Sequence, residues 1–240
     1  MKIKDLTRAA RKVLKLKYCG AVIVAAGNAS RMGGIDKVMA PLGAEPMVIK
    51  TVRAFQNCEA IREIVVVTRE DLMVELMRLC APYEKVRGVV VGGADRASSV
   101  EAGLNNLSDK VKLVAVHDGA RPFVSDAVID RTVRAAHSYG AAAPAIAVKD
   151  TIKIARGGVV ASTPDRSTLR AVQTPQVFDL QLLKGALRKA KKEALSITDD
   201  CSAVEAMGMS VKLVEGDERN IKITTPMDLK IAKILLEDGL

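Results

Sequence analysis

The chain has 240 residues, of which 49% are hydrophobic and 27% are charged, and its formal net charge is +9. This length and apolar content suit one α/β domain and exclude an intrinsically disordered chain. The sequence contains three Phe, three Tyr and no Trp. So few aromatic side chains argue against a base-stacking surface for nucleic acid, and no nucleic-acid partner is expected.

The first segment, residues 1–18, predicts a basic amphipathic helix that precedes the main domain. Its apolar residues Ile3, Leu6 and Ala10 recur at helical spacing among seven Lys and Arg residues. We expect its charged face, like that of a second basic stretch at 184–193, to be solvated. Since no apolar run is long enough for a membrane span or a secretory signal, a cytoplasmic protein without a membrane partner is expected.

Residues 19–240 predict a single domain in which strands and helices alternate. The strand candidates are continuous apolar runs at 21–25, 64–68, 89–91 and 113–116. The helix candidates between them fall near 46–57, 70–81, 97–107 and 125–139. This alternation predicts a doubly wound, mostly parallel, Rossmann-like sheet. Ligands of such sheets bind beyond the carboxyl ends of the strands.

The alternation of strands and helices is interrupted at about 150–178, where a β-hairpin arm is predicted to project from the domain. The pieces DTIKIA and VVAST flank Gly157 and Gly158, and Gly-Gly between two strand-like pieces is typical of a hairpin turn. After the arm we expect a basic helix, a second helix starting near Thr198, a strand at 211–214 and a final helix from about Pro226.

The first predicted strand leads into AAGNASRMGGIDK, residues 25–37. Small residues let backbone N–H groups approach a phosphate, and Arg31 and Lys37 add positive charge. The segment matches neither the P-loop nor the dinucleotide-binding pattern. From these residues alone, the segment can therefore be interpreted either as a phosphate-binding loop or as an ordinary surface turn.

The fourth predicted strand ends in VHDGARPF, residues 116–123. Asp118 would lie at the carboxyl edge of the sheet, where a carboxylate ligates Mg²⁺ or a sugar hydroxyl, and Arg121 would grip a phosphate. A structural Asp118–Arg121 salt bridge is the alternative. His117 is expected to be a packed, hydrogen-bonded residue rather than a base.

The four cysteines stand at Cys19, Cys58, Cys80 and Cys201 and form no C-x-x-C pair. Their wide spacing suggests neither a zinc site nor a disulfide framework. We expect them to be buried, reduced thiols.

Seven short motifs occur in one order along the chain: AAGNASRMGGIDK, GGADRASSV, VHDGARPF, KDTIK, QTPQVF, TDD and NIKIT. In this order and spacing the chain resembles the 2-C-methyl-D-erythritol 4-phosphate cytidylyltransferases, from about Ala21 to the C terminus. The resemblance implies transfer of CMP from CTP to 2-C-methyl-D-erythritol 4-phosphate, with release of pyrophosphate, in non-mevalonate isoprenoid biosynthesis. Related enzymes that use ribitol 5-phosphate share the first motif and are less similar around HDGARP.

The same resemblance implies a CTP site built from three groups of residues. The nucleotide would be lined by the backbone of Ala25, Ala26 and Gly27. The cytosine would be surrounded by Gly93, Ala94 and Ser99. The catalytic charges that neutralise the triphosphate would come from Arg31, Lys37 and Lys222, together with Mg²⁺ or another divalent cation.

The resemblance also implies a polyol-phosphate site and a homodimer. The residues that would bind this substrate are Asp118, Arg121, Thr151, Arg166 and Thr174. Asp118 is also the candidate metal ligand. Thr151 and Arg166 lie on the arm and would serve the partner subunit's site, which makes a homodimer through the arm part of the expectation.

Three alternatives stay open at this point. One is a cytidylyltransferase for another polyol phosphate, such as ribitol 5-phosphate. The second is a non-catalytic nucleotide-binding homologue, because Asp36 and Val38 flank Lys37 where the family usually has Pro and Gln. Ala94 also replaces a residue that is commonly acidic. The third is a nucleic-acid-binding protein, which the net charge alone would permit.

Overall fold

The computed structural model describes residues 16–27 and 38–237. Most of the strands belong to one mixed sheet in which β10, β7, β11, β6, β1, β4 and β5 lie side by side, with β12 paired to β7. The bounds of these strands are β1 Cys19–Val24, β4 Glu63–Thr68, β5 Val86–Val91, β6 Leu113–Asp118, β7 Ala141–Ala147, β10 Arg170–Val172, β11 Gln176–Asp179 and β12 Lys212–Glu215.

Seven α-helices are assigned in the described ranges. They are α1 Met47–Asn57, α2 Met73–Cys80, α3 Arg96–Asn105, α4 Asp126–Tyr139, α5 Leu180–Lys192, α6 Asp200–Glu205 and α7 Pro226–Glu237. Short 3₁₀ turns lie at Glu70–Leu72 and Arg166–Thr168, and a two-stranded ribbon pairs β2 Pro41–Leu42 with β3 Glu45–Pro46.

The sheet is covered by helices on both faces, as the continuous apolar strands predict. Within β1, Ala21 and Ile23 point into a core with α1, α2 and α4, whereas Val22 points into a core with α3, α5 and α6. Successive side chains of a strand point to opposite faces, so both faces are apolar only if both are buried. The predicted doubly wound, mostly parallel sheet is therefore confirmed.

Helix α3 packs unusually close to the sheet at Gly103. A Cβ atom at this position would lie 2.9 Å from Val67 Cγ2 and closer still to Val22 Cγ1. Glycine is thus required by contact with β1 and β4, not by a turn. This contact sets how closely α3 approaches β1 and β4.

The sheet also contains antiparallel strands that the sequence pattern does not predict. Strand β11 runs antiparallel between β6 and β7, and β10 pairs antiparallel with β7. The sequence of β7, AAAPAIA, is rich in Ala and contains Pro144, residue types that are depleted in strands. Burial between β11 and β12 makes it a strand in spite of this composition.

The predicted hairpin arm is present, with bounds that differ from 150–178. Strands β8 Ile154–Arg156 and β9 Val159–Ser162 form a separate two-stranded sheet around Gly157 and Gly158. Residues 170–179 instead form β10 and β11 of the central sheet. The projecting part therefore ends before Arg170, because the chain after it is held by backbone pairing to β6 and β7.

All four cysteines are free and buried, and burial raises the pKa of Cys58 to about 12 and that of Cys80 to about 11. None of the helices described is long and apolar enough to cross a membrane. The predicted N-terminal helix at 1–18 falls outside the described residues, apart from residues 16–18.

Candidate active site

A cleft of about 250 Å³ opens at the carboxyl ends of β1, β5 and β6. Parallel strands bring their last residues to one edge, and the turns that follow them form the walls. Eight of the residues predicted to bind substrate or support catalysis line this cleft: Ala25, Ala26, Gly27, Gly93, Ala94, Ser99, Asp118 and Lys222. The other lining residues are Val24, Val38, Asp95, Arg96 and Ala120.

One wall is a tight backbone loop between β5 and α3. The Ser99 hydroxyl donates to the carbonyl of Asp95 at 2.8 Å and accepts from the Gly93 N–H at 3.1 Å. The Asp95 carboxylate caps α3 by accepting from the Ser98 N–H at 2.7 Å. A Cβ atom on Gly93 would overlap the Ser98 side chain. Small residues are therefore needed for the loop to fold back onto the helix.

The opposite wall carries a carboxylate that faces three cations. Asp118 Oδ2 lies 2.8 Å from Lys222 Nζ and 3.6 Å from Arg121 Nε, and its Oδ1 lies 3.6 Å from Arg96 Nε. Burial alone would raise the pKa of Asp118, but the positive charges of Lys222 and Arg96 outweigh it and hold that pKa well below its ordinary value. Asp118 is therefore ionised at every working pH.

Lys222 is held at this position by hydrogen bonds between two segments distant in sequence. Arg121 Nη1 donates to the carbonyl of Asn220 at 2.7 Å, and the Ile223 N–H donates to the carbonyl of Ala120 at 2.9 Å. Asn220 is fully buried, and its side chain donates to the carbonyl of Thr174 at 2.9 Å. The motifs HDGARP, QTPQVF and NIKIT thus meet in one network, which places Lys222 against Asp118.

His117 and Thr174 are hydrogen-bonded to each other and to the backbone around the end of β6. The Asp118 N–H donates to Thr174 Oγ1 at 3.2 Å, and the same hydroxyl lies 3.0 Å from His117 Nδ1. The hydroxyl proton then goes to Nδ1, so His117 carries its own proton on Nε2 and donates it to the carbonyl of Arg121 at 3.2 Å. Burial lowers the pKa of His117 to about 4. His117 is thus a neutral, packed residue, as the sequence analysis expected.

The structure does not bring every predicted substrate residue into the cleft. Arg121 and Thr174 lie behind Asp118 and are engaged with backbone groups and with His117. Thr151 and Arg166 are exposed on the arm, where Arg166 Nη1 donates to the carbonyl of Lys149 at 2.6 Å. Substrate binding by these four stays a prediction.

Two of the predicted catalytic residues, Arg31 and Lys37, lie outside the described residues. Gly27 and Val38, the described residues on either side of 28–37, both line the cleft. Val38 is buried, with 4% of its surface exposed. The roles of Arg31 and Lys37 stay predictions.

Sequence reasoning missed two charged residues of the site, Arg96 and Asp200. Arg96 lines the cleft and pairs with the buried Asp200 through Nη1 and Oδ2, at 2.8 Å. Both stand inside motifs that carried the resemblance, GGADRASSV and TDD. The signal available in the sequence was a charged residue, Arg96 or Asp200, inside each of two motifs at the start of a helix.

A divalent cation fits this site only as an ion that arrives with the triphosphate. No cluster of three or more His, Cys, Asp or Glu side chains in residues 16–27 and 38–237 is arranged to hold a metal. The carboxylates of the cleft in those ranges belong to Asp118 and Asp95, and Asp95 is occupied as a helix cap. Mg²⁺ is commonly bound by one or two carboxylates plus substrate phosphates, which Asp118 alone satisfies on the protein side.

Comparison with known proteins gives one consistent result. A family model described as "IspD: 2-C-methyl-D-erythritol 4-phosphate cytidylyltransferase" matches residues 19–238. A protein of that name from Caldanaerobacter subterraneus is 43% identical over 225 residues, which cover 90% of this chain and 97% of the relative. Another of that name from Geobacillus kaustophilus is 44% identical over 219 residues, covering 90% of this chain and 96% of the relative.

Solved structures agree with the sequence relatives. The crystal structure of 4-diphosphocytidyl-2C-methyl-D-erythritol synthase from Anaerococcus prevotii superposes with a TM-score of 0.84 at 32% identity, covering 92% of this chain and 96% of that one. The 2-C-methyl-D-erythritol 4-phosphate cytidylyltransferase of Thermus thermophilus gives a TM-score of 0.75 at 34% identity, covering 92% and 99%. The chain therefore belongs to the IspD family of 2-C-methyl-D-erythritol 4-phosphate cytidylyltransferases.

Proposed function

We propose that this chain transfers CMP from CTP to 2-C-methyl-D-erythritol 4-phosphate and releases pyrophosphate, as a step of non-mevalonate isoprenoid biosynthesis. The observation that carries the proposal is the cleft itself. Its two walls are a small loop lined by backbone at Gly93–Ser99 and a charged wall at Asp118 and Lys222. The first suits a pyrimidine base, and the second suits a phosphorylated polyol.

The reaction on this proposal requires no strong general base. The attacking group is a phosphate oxygen of the polyol phosphate, which is largely ionised near neutral pH, and it attacks the α-phosphorus of CTP as the bond to pyrophosphate breaks. The obstacle is the approach of two anions and the charge that grows on pyrophosphate. Lys222, with Arg31 and Lys37, would offset that charge, while a bound Mg²⁺ would shield the triphosphate oxygens.

Asp118 on this proposal orients the second substrate. Its Oδ1 and Oδ2 are directed by cations on both sides, so a hydroxyl of the polyol would meet an oriented acceptor. The position suits the same carboxylate as the single protein ligand of the metal. Arg121, Thr151, Arg166 and Thr174 are proposed to complete the polyol-phosphate site, with Thr151 and Arg166 supplied by the partner subunit.

The proposed assembly is a homodimer that works in the cytoplasm. The arm exposes a run of apolar side chains, with Val159 70% and Val160 57% exposed, and Ile154 beside them 49% exposed. A contiguous exposed apolar patch marks an interaction surface. In a two-fold dimer the same patch is used twice, so each arm would reach the other subunit's cleft. The buried, unpaired cysteines suit a reducing compartment.

The test is pyrophosphate release by the purified chain with CTP and 2-C-methyl-D-erythritol 4-phosphate, in the presence of Mg²⁺. Parallel reactions contain ribitol 5-phosphate as the second substrate, or UTP or ATP as the nucleotide. We expect turnover with the first pair and at most a small fraction of it with the others. Equal or faster turnover with ribitol 5-phosphate would replace the proposed substrate, and no turnover with any pair would favour a non-catalytic homologue.

The metal proposal is tested in the same assay. Activity is expected to vanish in EDTA and to return when Mg²⁺ is added in excess, because the described residues provide only one carboxylate for the ion. Full activity in chelator would mean that the basic side chains neutralise the triphosphate alone.

A further inference from the structure

An ion pair that the proposed reaction does not use directly lies beside the cleft. Asp200 is the first residue of α6, and its side chain is only 1% exposed. Its Oδ2 lies 2.8 Å from Arg96 Nη1. The Arg96 side chain is 31% exposed, but burying the Asp200 carboxylate is expensive, and an ion pair with a buried member is often no more stabilising than apolar residues of the same size. Its presence beside the cleft therefore calls for a role other than stability.

Arg96 links this pair to the cleft. Its guanidinium faces Asp200 with Nη1 and Asp118 with Nε, at 2.8 Å and 3.6 Å. A guanidinium is a rigid plane with donors on its edges, so holding one edge fixes the direction of the other. Asp200 therefore sets where Arg96 meets Asp118.

Asp200 is itself fixed to the sheet. The side-chain carbonyl of Gln176 accepts from the N–H groups of Asp200 and Cys201, both at 3.1 Å, and its amide donates to Asp199 Oδ2 at 2.7 Å. Gln176 lies on β11 directly opposite Val116 of β6, the strand that ends in Asp118. Since these contacts anchor α6 through backbone groups, the Asp200 carboxylate is left to hold Arg96.

We propose that Asp200 is a positioning residue that orients Asp118 through Arg96. Arg96 holds the Oδ1 side of Asp118 while Lys222 holds the Oδ2 side, which sets the plane of the carboxylate. When Lys222 turns toward the triphosphate, Arg96 keeps Asp118 compensated and in place for the polyol. This inference rests on the proposed function, because it assumes that Asp118 contacts the second substrate.

The test compares Asp200→Asn with the unaltered chain. The substitution keeps the shape and the backbone hydrogen bonds but removes the charge that holds Arg96. We expect kcat/KM to fall by about 10- to 100-fold, since a misplacement of about 1 Å at a reacting group costs up to about 10²-fold. The loss should lie mainly in kcat and in KM for the polyol phosphate, with KM for CTP little changed. Glu205→Gln, an exposed position on the same helix, is the matched control and should leave both constants unchanged.

A double-mutant cycle separates positioning from a merely structural role. Arg96→Gln should reduce kcat/KM by a similar factor, and Asp200→Asn combined with Arg96→Gln should lose no more than Arg96→Gln alone. Each rate is divided by the fraction of molecules that are folded at the assay temperature, which is taken from a thermal melt of the same variant. Losses that multiply in the double variant, or an Asp200→Asn enzyme within threefold of the unaltered chain, would overturn the proposal. If Asp200→Asn fails to fold, Arg96→Lys decides: it keeps the charge without the planar fork and should also lose at least tenfold.

Failure of the proposed function would be visible separately. If the unaltered chain releases no pyrophosphate from CTP and the polyol phosphate, the proposed function fails, and the positioning role is then decided by crystal structures of the unaltered chain and of Asp200→Asn. Rotation of Arg96 away from Asp118 in the variant supports the proposal. An unchanged contact between Arg96 Nε and Asp118 Oδ1 overturns it.

Discussion

The cleft and the arm differ in whether contacts within the subunit hold their side chains in place. In the cleft, Asp118 is 11% exposed at its side chain and contacts cations that come from three different segments. On the arm, Ile154 and Val159 are exposed and β8 pairs only with β9 among the described strands. The cleft is thus held in place by its own subunit, whereas the arm presents an apolar surface that none of the described elements of its own subunit buries.

This difference bears on the residues predicted to bind one and the same substrate. Asp118 belongs to the cleft, but Thr151 and Arg166 belong to the arm and do not line the cleft of their own subunit. A site completed by a partner's arm, as in the proposed homodimer, would bring the two sets of residues together. The following experiments ask whether the cleft carries the chemistry and whether the arm acts across an interface.

The largest effect is expected from Lys222→Ala. The ammonium group of Lys222 lies 2.8 Å from Asp118 Oδ2, and removing one preorganised donor from a site of developing charge lowers kcat by about 10²–10³. Its side chain is 42% exposed, so the melting temperature should change little. Lys110→Ala, in the loop before β6 at the opposite edge of the sheet, is the control. A Lys222→Ala enzyme within a few-fold of normal turnover would remove this residue from the mechanism.

The next effect is recovery of activity when two inactive variants are mixed. Arg166→Ala and Lys222→Ala chains are combined and allowed to exchange subunits. If Arg166 serves the partner's cleft, half of the sites in each heterodimer carry both residues, and activity should rise by more than tenfold over either variant.

The matched control is a mixture of Asp118→Asn chains and Lys222→Ala chains. Both residues lie in one cleft of one subunit, so no heterodimer regains a complete site. Verified Arg166/Lys222 heterodimers that stay as inactive as this control would place Arg166 in its own subunit's site or outside substrate binding.

A smaller effect concerns the acid stability of the cleft. Burial lowers the pKa of His117 to about 4 from an ordinary 6.5. The neutral imidazole contributes fully above about pH 6.5, and its contribution is lost as the pH falls toward 4, because the unfolded chain then binds a proton that the folded one does not. Between pH 6.5 and 5 the free energy of unfolding should fall by about 1.5 kcal/mol from this group. Denaturant melts across this range measure it, and His117→Gln should flatten the slope; an unchanged slope would assign the acid sensitivity to other groups.

The smallest effect is expected from Val159→Asp on the arm. Val159 is 70% exposed, so the monomer should fold normally, but an unpaired carboxylate in an apolar interface is unfavourable. We expect the dissociation constant of the dimer to rise about tenfold, as measured by sedimentation at several concentrations. Val74→Asp on α2, where Val74 is 81% exposed, is the control. Equal dimer stability in both variants would place the interface elsewhere.

The parts of the molecule that local pattern determines could be predicted from sequence. The four strands β1, β4, β5 and β6 are predicted within three residues of their starts, because strands buried on both faces are continuous apolar runs. The arm hairpin was found through Gly157 and Gly158. Strand β7 was missed because Ala and Pro are poor strand formers, and only its position between β11 and β12 makes it a strand.

The residues of the site also divide into those that local sequence predicts and those that only tertiary packing brings together. The turns after β1 and β5 follow from small residues behind apolar runs, and the cleft collects them as expected. The pairing of Arg96 with Asp200 could not be predicted, since the two residues are far apart in sequence and meet only through the packing of α3 and α6 around the sheet. Thr174 was predicted as a substrate ligand, and nothing local in QTPQVF reveals that its hydroxyl bridges Asp118 and His117.

The close contact at Gly103 has a consequence for how the cleft meets a nucleotide. Since α3 rests directly on β1 and β4, this contact ties the loop at the start of the helix to the turn after β1. A ligand that bridges them meets a site whose spacing is already set, so association spends little free energy on reorganising the protein. Any side chain at position 103 would overlap Val22 Cγ1 of β1, so the helix or the valine would have to shift, and a shift of the helix would change the spacing between the loop at its start and the turn after β1. On the proposed function, Gly103 thus contributes to nucleotide affinity without contact to the nucleotide.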